Sequence, residues 1–278
     1  MTPRAARPVV VGIDGSDAAI SAALWAVDEA LVRGVPLRLV AALLPAHLER
    51  SRTAACPTVA PTDMALQAAA DAVAAIGKPV QLETVQRHTA PNTLLIDESR
   101  AAALLCVGSV GIDRIAAKVL GSTAEAVAHR ARCPVAIVRW RGGPDTNTDR
   151  SSRRTGWVAL SFNTAGEDDE LAAVAFGEAA LRRTGVIAVV IPSTAQTAER
   201  DSLIDQTIAA WSARYPEVPV QSWMAARSLD EFIATSEVPI QLVVIGPPDI
   251  HEIPRLVGPV RGQSHFAQAE CSVIVVRH

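Results

Sequence analysis

The sequence predicts an α/β protein built twice over: two tandem, doubly wound parallel-sheet domains with helices on both faces of each sheet. Three observations carry this. Strand-like apolar runs alternate with helical patterns along the whole chain, the order that builds parallel sheets. The strands are almost continuously apolar, as strands buried on both sides are. After Trp140 the pattern stops in a polar stretch and then begins again. The 278 residues suit two domains at roughly 100–200 residues each.

In the first half, apolar runs predict strands at 9–13, 37–43, 80–85, 104–107 and 135–138. Between them, helical patterns cover 18–33, an alanine-rich segment, then 64–76, 93–101 and 123–130. Residues 141–156 are rich in turn formers, lack apolar periodicity and read as a linker between domains at 1–140 and 157–278. The second half predicts strands at 157–160, 186–191, 218–222, 242–245 and 273–276. Its helices fall at 168–183, 198–214 and 229–235. Aligning Cys133 with Cys271, an offset of 138, puts Gly108 on Gly246 and Ala136-Ile-Val-Arg139 on Ile274-Val-Val-Arg277, so the chain reads as a duplication.

Composition excludes several classes. Apolar residues make up 49% and charged residues 20%, and the 16 Gly and 18 Pro form no repetitive tract, which describes a globular chain. A net charge of −3 gives no reason to expect nucleic acid or an acidic membrane as partner. The apolar run Val9-Val-Val11 is too short for a signal core or a membrane span, so the expected location is cytoplasmic. Cys56, Cys106, Cys133 and Cys271 are scattered without a C-x-x-C pair, which argues against zinc or redox chemistry. Cys106 and Cys133 sit in apolar runs and read as buried, inert thiols. His129, on a helix, and His251, in a loop, read as structural.

The most informative stretch is 107–123, which spaces glycines as G, two residues, G, nine residues, G-S at Gly108, Gly111, Gly121 and Ser122. It joins a strand end to a helix start. A glycine there lets the main chain approach a ligand, and a helix start offers unpaired N–H groups and a positive dipole end, so the pattern suits phosphate. Ser122-Thr-Ala-Glu125 fits a capping box with Ser122 as N-cap, which leaves the N–H groups of Thr123 and Ala124 for a ligand. Asp14 follows the first strand, at the carboxyl end where such sheets bind ligands. Its carboxylate suits an exocyclic amine or a sugar hydroxyl; the alternative, that Asp14 or Ser16 caps the next helix, stays open. No G-x-x-x-x-G-K-[ST], no G-x-G-x-x-G after the first strand and no G-x-S-x-G is present. Near the glycines the charges are Asp113, Arg114 and Lys118, and no Ser/His/Asp or Cys/His set stands out. Binding is therefore expected in preference to turnover.

The start Val9-Val-Val-Gly-Ile-Asp-Gly-Ser16, the glycine pattern and the ending Cys133-Pro-Val-Ala-Ile-Val-Arg139 together resemble the universal stress protein family in its tandem two-domain form. The resemblance spans nearly all of the first half at motif level and the second half in outline. It implies an adenine nucleotide alpha hydrolase-like fold, a five-stranded parallel sheet of order 3-2-1-4-5 in each domain. It also implies ATP as ligand, commonly with Mg²⁺ or Mn²⁺. The implied binding set is Ile13, Asp14, Ala42, Gly108, Ser109, Gly111, Gly121, Ser122, Thr123 and Ala124. Asp14 and the main chain near Ala42 would meet adenine, and the glycines and Ser122–Ala124 the ribose and phosphates. Family members pair through their last strands, which implies an internal pseudo-dimer at 135–138 and 273–276, with a homodimer also open. The implied role is an ATP-binding regulator of a stress or dormancy response, acting on an unidentified protein partner and hydrolysing ATP at most slowly. A nucleotide-free interaction scaffold and an adenylate-using enzyme are the competing readings.

The second half departs from the pattern. At the offset of 138, Gly111 becomes Asp249, Gly121 becomes Pro259, Ser122 becomes Val260, and Ser109-Val110 become Pro247-Pro248. Prolines have no N–H to donate, and Asp249 would bring a negative charge to a phosphate position. The first strand of this half ends in Ser161-Phe162 with no aspartate. One nucleotide site, in the first half, is the expectation.

Overall fold

The structure, a computed structural model, describes residues 6–43, 62–110, 120–139, 156–162, 168–191, 198–224, 228–257 and 271–277. The chain divides into two compact units whose main bodies are Met1–Trp140 and Arg141–Val276.

In the first unit β1 (Val9–Gly12), β2 (Leu37–Ala42), β3 (Leu82–Arg87), β4 (Leu104–Gly108) and β5 (Val135–Val138) form a parallel sheet of order β3-β2-β1-β4-β5. The helices are α1 (Asp17–Arg33), α2 (Thr62–Ala74), α3 (Pro91–Glu98) and α4 (Ser122–Arg130). Chain direction across the sheet reverses between β1 and β4, the place where doubly wound sheets open a crevice at the strands' carboxyl ends. The central strands are the core: Val9, Val10, Val11, Leu105 and Cys106 have no exposed surface. Buried alanines at 18, 19, 22, 23, 26 and 30 let α1 lie close on the sheet.

The second unit repeats this with β6 (Trp157–Phe162), β7 (Val186–Val190), β8 (Val220–Met224), β9 (Ile240–Ile245) and β10 (Ser272–Val275), in the order β10-β9-β6-β7-β8. Its helices are α5 (Asp168–Arg182), α6 (Ala198–Arg214), α7 (Leu229–Thr235) and α8 (Ile253–Leu256), with a 3₁₀ turn at Pro247–Glu252 before α8. That turn and α8 were not expected from the sequence, and His251 lies in the turn rather than in a loop.

A single offset of 138 does not align the halves. Val9 and Val158, like Leu37 and Val186, stand 149 apart (158 less 9, 186 less 37), whereas Leu82 and Val220, like Gly108 and Gly246, stand 138 apart. The eleven-residue difference falls between the second and third strands of each unit. With the first register, α1 and α5 carry the same buried ion pair, Glu29–Arg33 and Glu178–Arg182, each one helical turn apart. Both glutamates are almost fully buried, so each unit retains a paired charge inside its first helix.

The outer strands β3 and β8 both begin two residues later than expected. The apolar residues that suggested earlier starts, Val80 and Val218, close turns instead: Val80 donates to the Lys78 carbonyl at 2.8 Å and Val218 to that of Tyr215 at 3.0 Å. Gly156, read as the end of the linker, is already part of the second unit. A β-carbon on it would stand 2.7 Å from the Gln241 nitrogen.

Candidate functional site

The first-unit crevice is built at two strand ends, those of β1 and β4. After β1, Gly15 takes φ of +85°, a conformation that glycine adopts freely, and turns the chain into α1. Ser16 is the N-cap: its hydroxyl accepts from the Ala19 N–H at 3.1 Å. Asp14 is exposed, and its Oδ1 accepts from the Ser16 N–H at 3.0 Å. Of the two candidate caps read from the sequence Ser16 fills the role, while Asp14 braces the turn before it.

After β4, Ser109 continues the ladder by donating its N–H to Val138 at 2.9 Å, and its own carbonyl accepts from the Gly121 N–H at 2.9 Å. This bond ties the start of α4 to the end of β4. Gly121, not Ser122, is the N-cap of α4, with extended φ −70° and ψ 148° and no side-chain cap bond. The capping box read from the sequence is thus corrected: Ser122 stands one position inside the helix, where its hydroxyl does not reach back to cap, and it is exposed. Glu125 donates its N–H to the Gly121 carbonyl at 3.0 Å, the first bond of the helix. The N–H groups of Ser122, Thr123 and Ala124 have no acceptor within the helix.

Gly108 has a packing reason. A β-carbon there would lie 2.7 Å from the Ala18 carbonyl carbon and 2.8 Å from the Ala18 Cβ, so the first turn of α1 rests directly on the end of β4. Two helix starts, α1 through Ala18 and α4 through Gly121, therefore meet the carboxyl end of β4, and each brings the positive end of its dipole. The α1 side carries Asp14 and Asp17; the first turn of α4 carries hydroxyls at Ser122 and Thr123, with Glu125 at its end.

Ile13 lies in the core and donates its N–H to Val40 at 2.8 Å. Leu43 donates to Arg87, so alternation turns the main-chain groups of Ala42 toward the β1 side. Gly111, Asp113, Arg114 and Lys118 lie outside the described residues, as does Cys56. Sequence reasoning missed Ala18 and Gly15; a small residue after the Asp-Gly-Ser turn was the available signal for the first. A surface hollow of about 400 Å³, lined by Asp63, Leu66, Gln67, Ala70, Thr84 and Gln86, lies between α2 and β3. Cys106, Cys133 and Cys271 are buried, and burial pushes the Cys133 thiol up to about 12, partly opposed by its hydrogen bond with the Leu105 backbone.

At the matching place in the second unit, β9 ends at Ile245 and Gly246 caps the 3₁₀ turn. Asp249 and Glu252 are 2% and 6% exposed. Glu252 Oε2 has no hydrogen-bond partner among the described residues. Burial raises the Glu252 carboxyl above its ordinary value, and Asp249 and Asp230 raise it further, against the opposing pull of His251 and Arg255. Pro259 and Val260 lie outside the described residues. By the 149 register, the residue matching Asp14 is Asn163, which replaces a charge by an amide.

These features define the class: a doubly wound α/β protein with two helix starts converging where strand order reverses. The family model of the universal stress protein family matches residues 5–139. A universal stress protein of Mycobacterium tuberculosis strain H37Rv is 37% identical over 271 residues, covering 98% of this chain and 96% of that protein. A second from the same strain is 38% identical over 255 residues, covering 90% and 92%. The crystal structure of a universal stress protein from Archaeoglobus fulgidus has the same fold, with a TM-score of 0.67 at 13% identity, covering 99% and 97% of the two chains. The chain belongs to the universal stress protein family. Among the described residues no helix is long and apolar enough to cross a membrane, and no group of three or more His, Cys, Asp or Glu is placed to hold a metal ion.

Proposed function

We propose that the first unit binds an adenine nucleotide, ATP in the reading the family resemblance supports, and that the protein is a regulator whose partner contacts respond to that occupancy. The observation that carries this is the start of α4. Three N–H groups, those of Ser122, Thr123 and Ala124, lack helical acceptors and stand beside the end of β4, held there by the Gly121–Ser109 bond.

Charge sets the direction of the ligand. Carboxylates at Asp14 and Asp17 repel phosphate from the start of α1 and suit the adenosine end, with Ala42 presenting main-chain groups nearby. The start of α4 suits the phosphates. Ser109, whose N–H and carbonyl are both engaged, acts as a positioning residue for Gly121. Mg²⁺ or Mn²⁺, which the family resemblance implies, would be carried by the phosphates.

The second unit, in this proposal, is structural. Gly246 retains the glycine whose counterpart, Gly108, serves helix packing, while the positions matching Gly111 and Gly121 are Asp249 and Pro259. The scaffold reading draws on the same fact, since Gly15 and Gly108 both have reasons in the fold. Gly121 separates the two readings: its φ of −70° is open to any residue, so backbone conformation does not require glycine there. The test is the thermal midpoint of the purified chain with and without excess ATP. A rise that is absent in Gly121→Leu and in Asp14→Ala supports binding at this crevice. An equal rise in parent and both variants rules the site out, and no rise in the parent favours the scaffold.

A further inference from the structure

The two halves give an internal comparison of the strands that end their sheets, β3 in the first unit and β8 in the second. At β3, Glu83 is ion-paired with Arg38 of the neighbouring strand at 2.8 Å, and Arg87 closes the strand. In the matching registers Glu83 becomes Gln221 and Arg38 becomes Ile187, and these two are again cross-strand neighbours. Val85 becomes Trp223 and Gln86 becomes Met224, which are 49% and 67% exposed. The β8 sequence Val-Gln-Ser-Trp-Met carries no charge at all. Sheet edges are ordinarily guarded by charge, and this copy has lost its guard while gaining exposed apolar surface.

The edge is also geometrically ready to pair. The Pro219 carbonyl accepts from Val186 of β7, so by alternation the N–H and C=O groups of Val220, Ser222 and Met224 point away from the sheet. The Trp223 ring is held at one end by Gln221, to which its Nε1 donates at 3.3 Å, and rests 6.2 Å from the Phe232 ring.

We propose that β8 is a homodimerisation edge, pairing antiparallel with β8 of a second copy of this chain. A two-fold axis through Ser222 places Val220 opposite Met224 of the second copy. A second copy fits because the strand is its own electrostatic complement: no like charges meet, and each copy supplies donors and acceptors in equal number. An edge of five residues buries less than the roughly 1,200 Å² of ordinary stable interfaces, so the dimer is weak and concentration-dependent.

The experiment is sedimentation velocity on the full chain, from low to high micromolar concentration, with and without ATP so that it stands apart from the nucleotide reading. The parent is expected to move from one chain toward two. Ser222→Lys and Ser222→Glu each set like charges face to face across the axis and are expected to weaken association at least about tenfold, whereas mixing the two variants restores it. Circular dichroism checks that both variants remain folded; if either does not, the double variants Val220→Lys with Met224→Lys and Val220→Glu with Met224→Glu, which set like charges opposite each other in each homodimer, serve in their place. A parent that stays monomeric overturns the proposal. So does undiminished dimerisation of the single variants, and so does a mixture that fails to associate, which would point to a different protein as the occupant of this edge.

Discussion

Gly108→Ala separates what the fold needs from what the ligand needs. The added methyl would meet the Ala18 carbonyl carbon at 2.7 Å, its Cβ at 2.8 Å and its oxygen at 2.9 Å. Ordinary carbon contacts lie at about 3.5–4.0 Å, so α1 or the end of β4 must give by close to an ångström. Both are packed in the core, and overpacking of this kind costs about 1–3 kcal/mol. At roughly 2–4 °C per kcal/mol for a chain of this size, the ligand-free melting temperature should fall by several degrees. The same displacement loosens the Ser109–Gly121 bond, so ATP affinity should fall with it. Gly121→Leu has the opposite profile. Its extended backbone accepts a side chain, with a loss of stability of at most about 1 kcal/mol, but the side chain stands at the helix start and should abolish nucleotide binding. Calorimetric melting without ligand, paired with ATP affinity, reads both. Parent-like melting of Gly108→Ala, or severe destabilisation of Gly121→Leu, would refute the reasoning.

Other consequences follow from the same geometry. Asp14→Ala should lose about tenfold or more in ATP affinity and also free the Ser16 N–H. Asp14→Asn should retain the turn, because an amide oxygen still accepts from Ser16, yet lose affinity; Asn with full affinity would show that the charge is not used. Burial raises the Glu252 carboxyl in the folded second unit, so between its ordinary and its raised value the folded chain binds a proton that the unfolded chain does not, and its contribution is greatest below the ordinary carboxylate value and declines as pH rises through the raised one. With Asp249, Asp230, His251 and Arg255 unchanged, Glu252→Gln should flatten that decline above the ordinary carboxylate range in urea unfolding, and parallel curves for parent and variant would contradict it. Cys133, its thiol at about 12, should resist alkylation at neutral pH in the native protein and react on unfolding; modification of native Cys133 found by mass spectrometry would speak against its burial.

Most of the architecture was legible because strands such as Val9-Val-Val11 and Val135-Ala-Ile-Val138 are buried on both faces and leave continuous apolar runs. Legibility failed at the sheet edges, where Val80 and Val218 give their N–H groups to turns, β3 beyond them is partly exposed and β8 mostly so. The duplication was visible, but one offset hid the change of register between 149 and 138, because the difference lies between elements rather than in them. At the crevice, the glycine spacing located the right strand end and helix start. It did not distinguish Gly108, required by Ala18, from Gly121, whose backbone requires nothing, since both are written with the same letter. The misassigned cap has a similar origin: Ser122 is the better capping residue by type, yet the Ser109 carbonyl fixes Gly121 as the first half-turn.

Isothermal titration calorimetry of the intact chain with ATP tests the central claim most directly. One site per chain is the expected result, from the amides of Ser122, Thr123 and Ala124 in the first unit with none contributed by the second. Absence of binding, or two equivalents per chain, would contradict it.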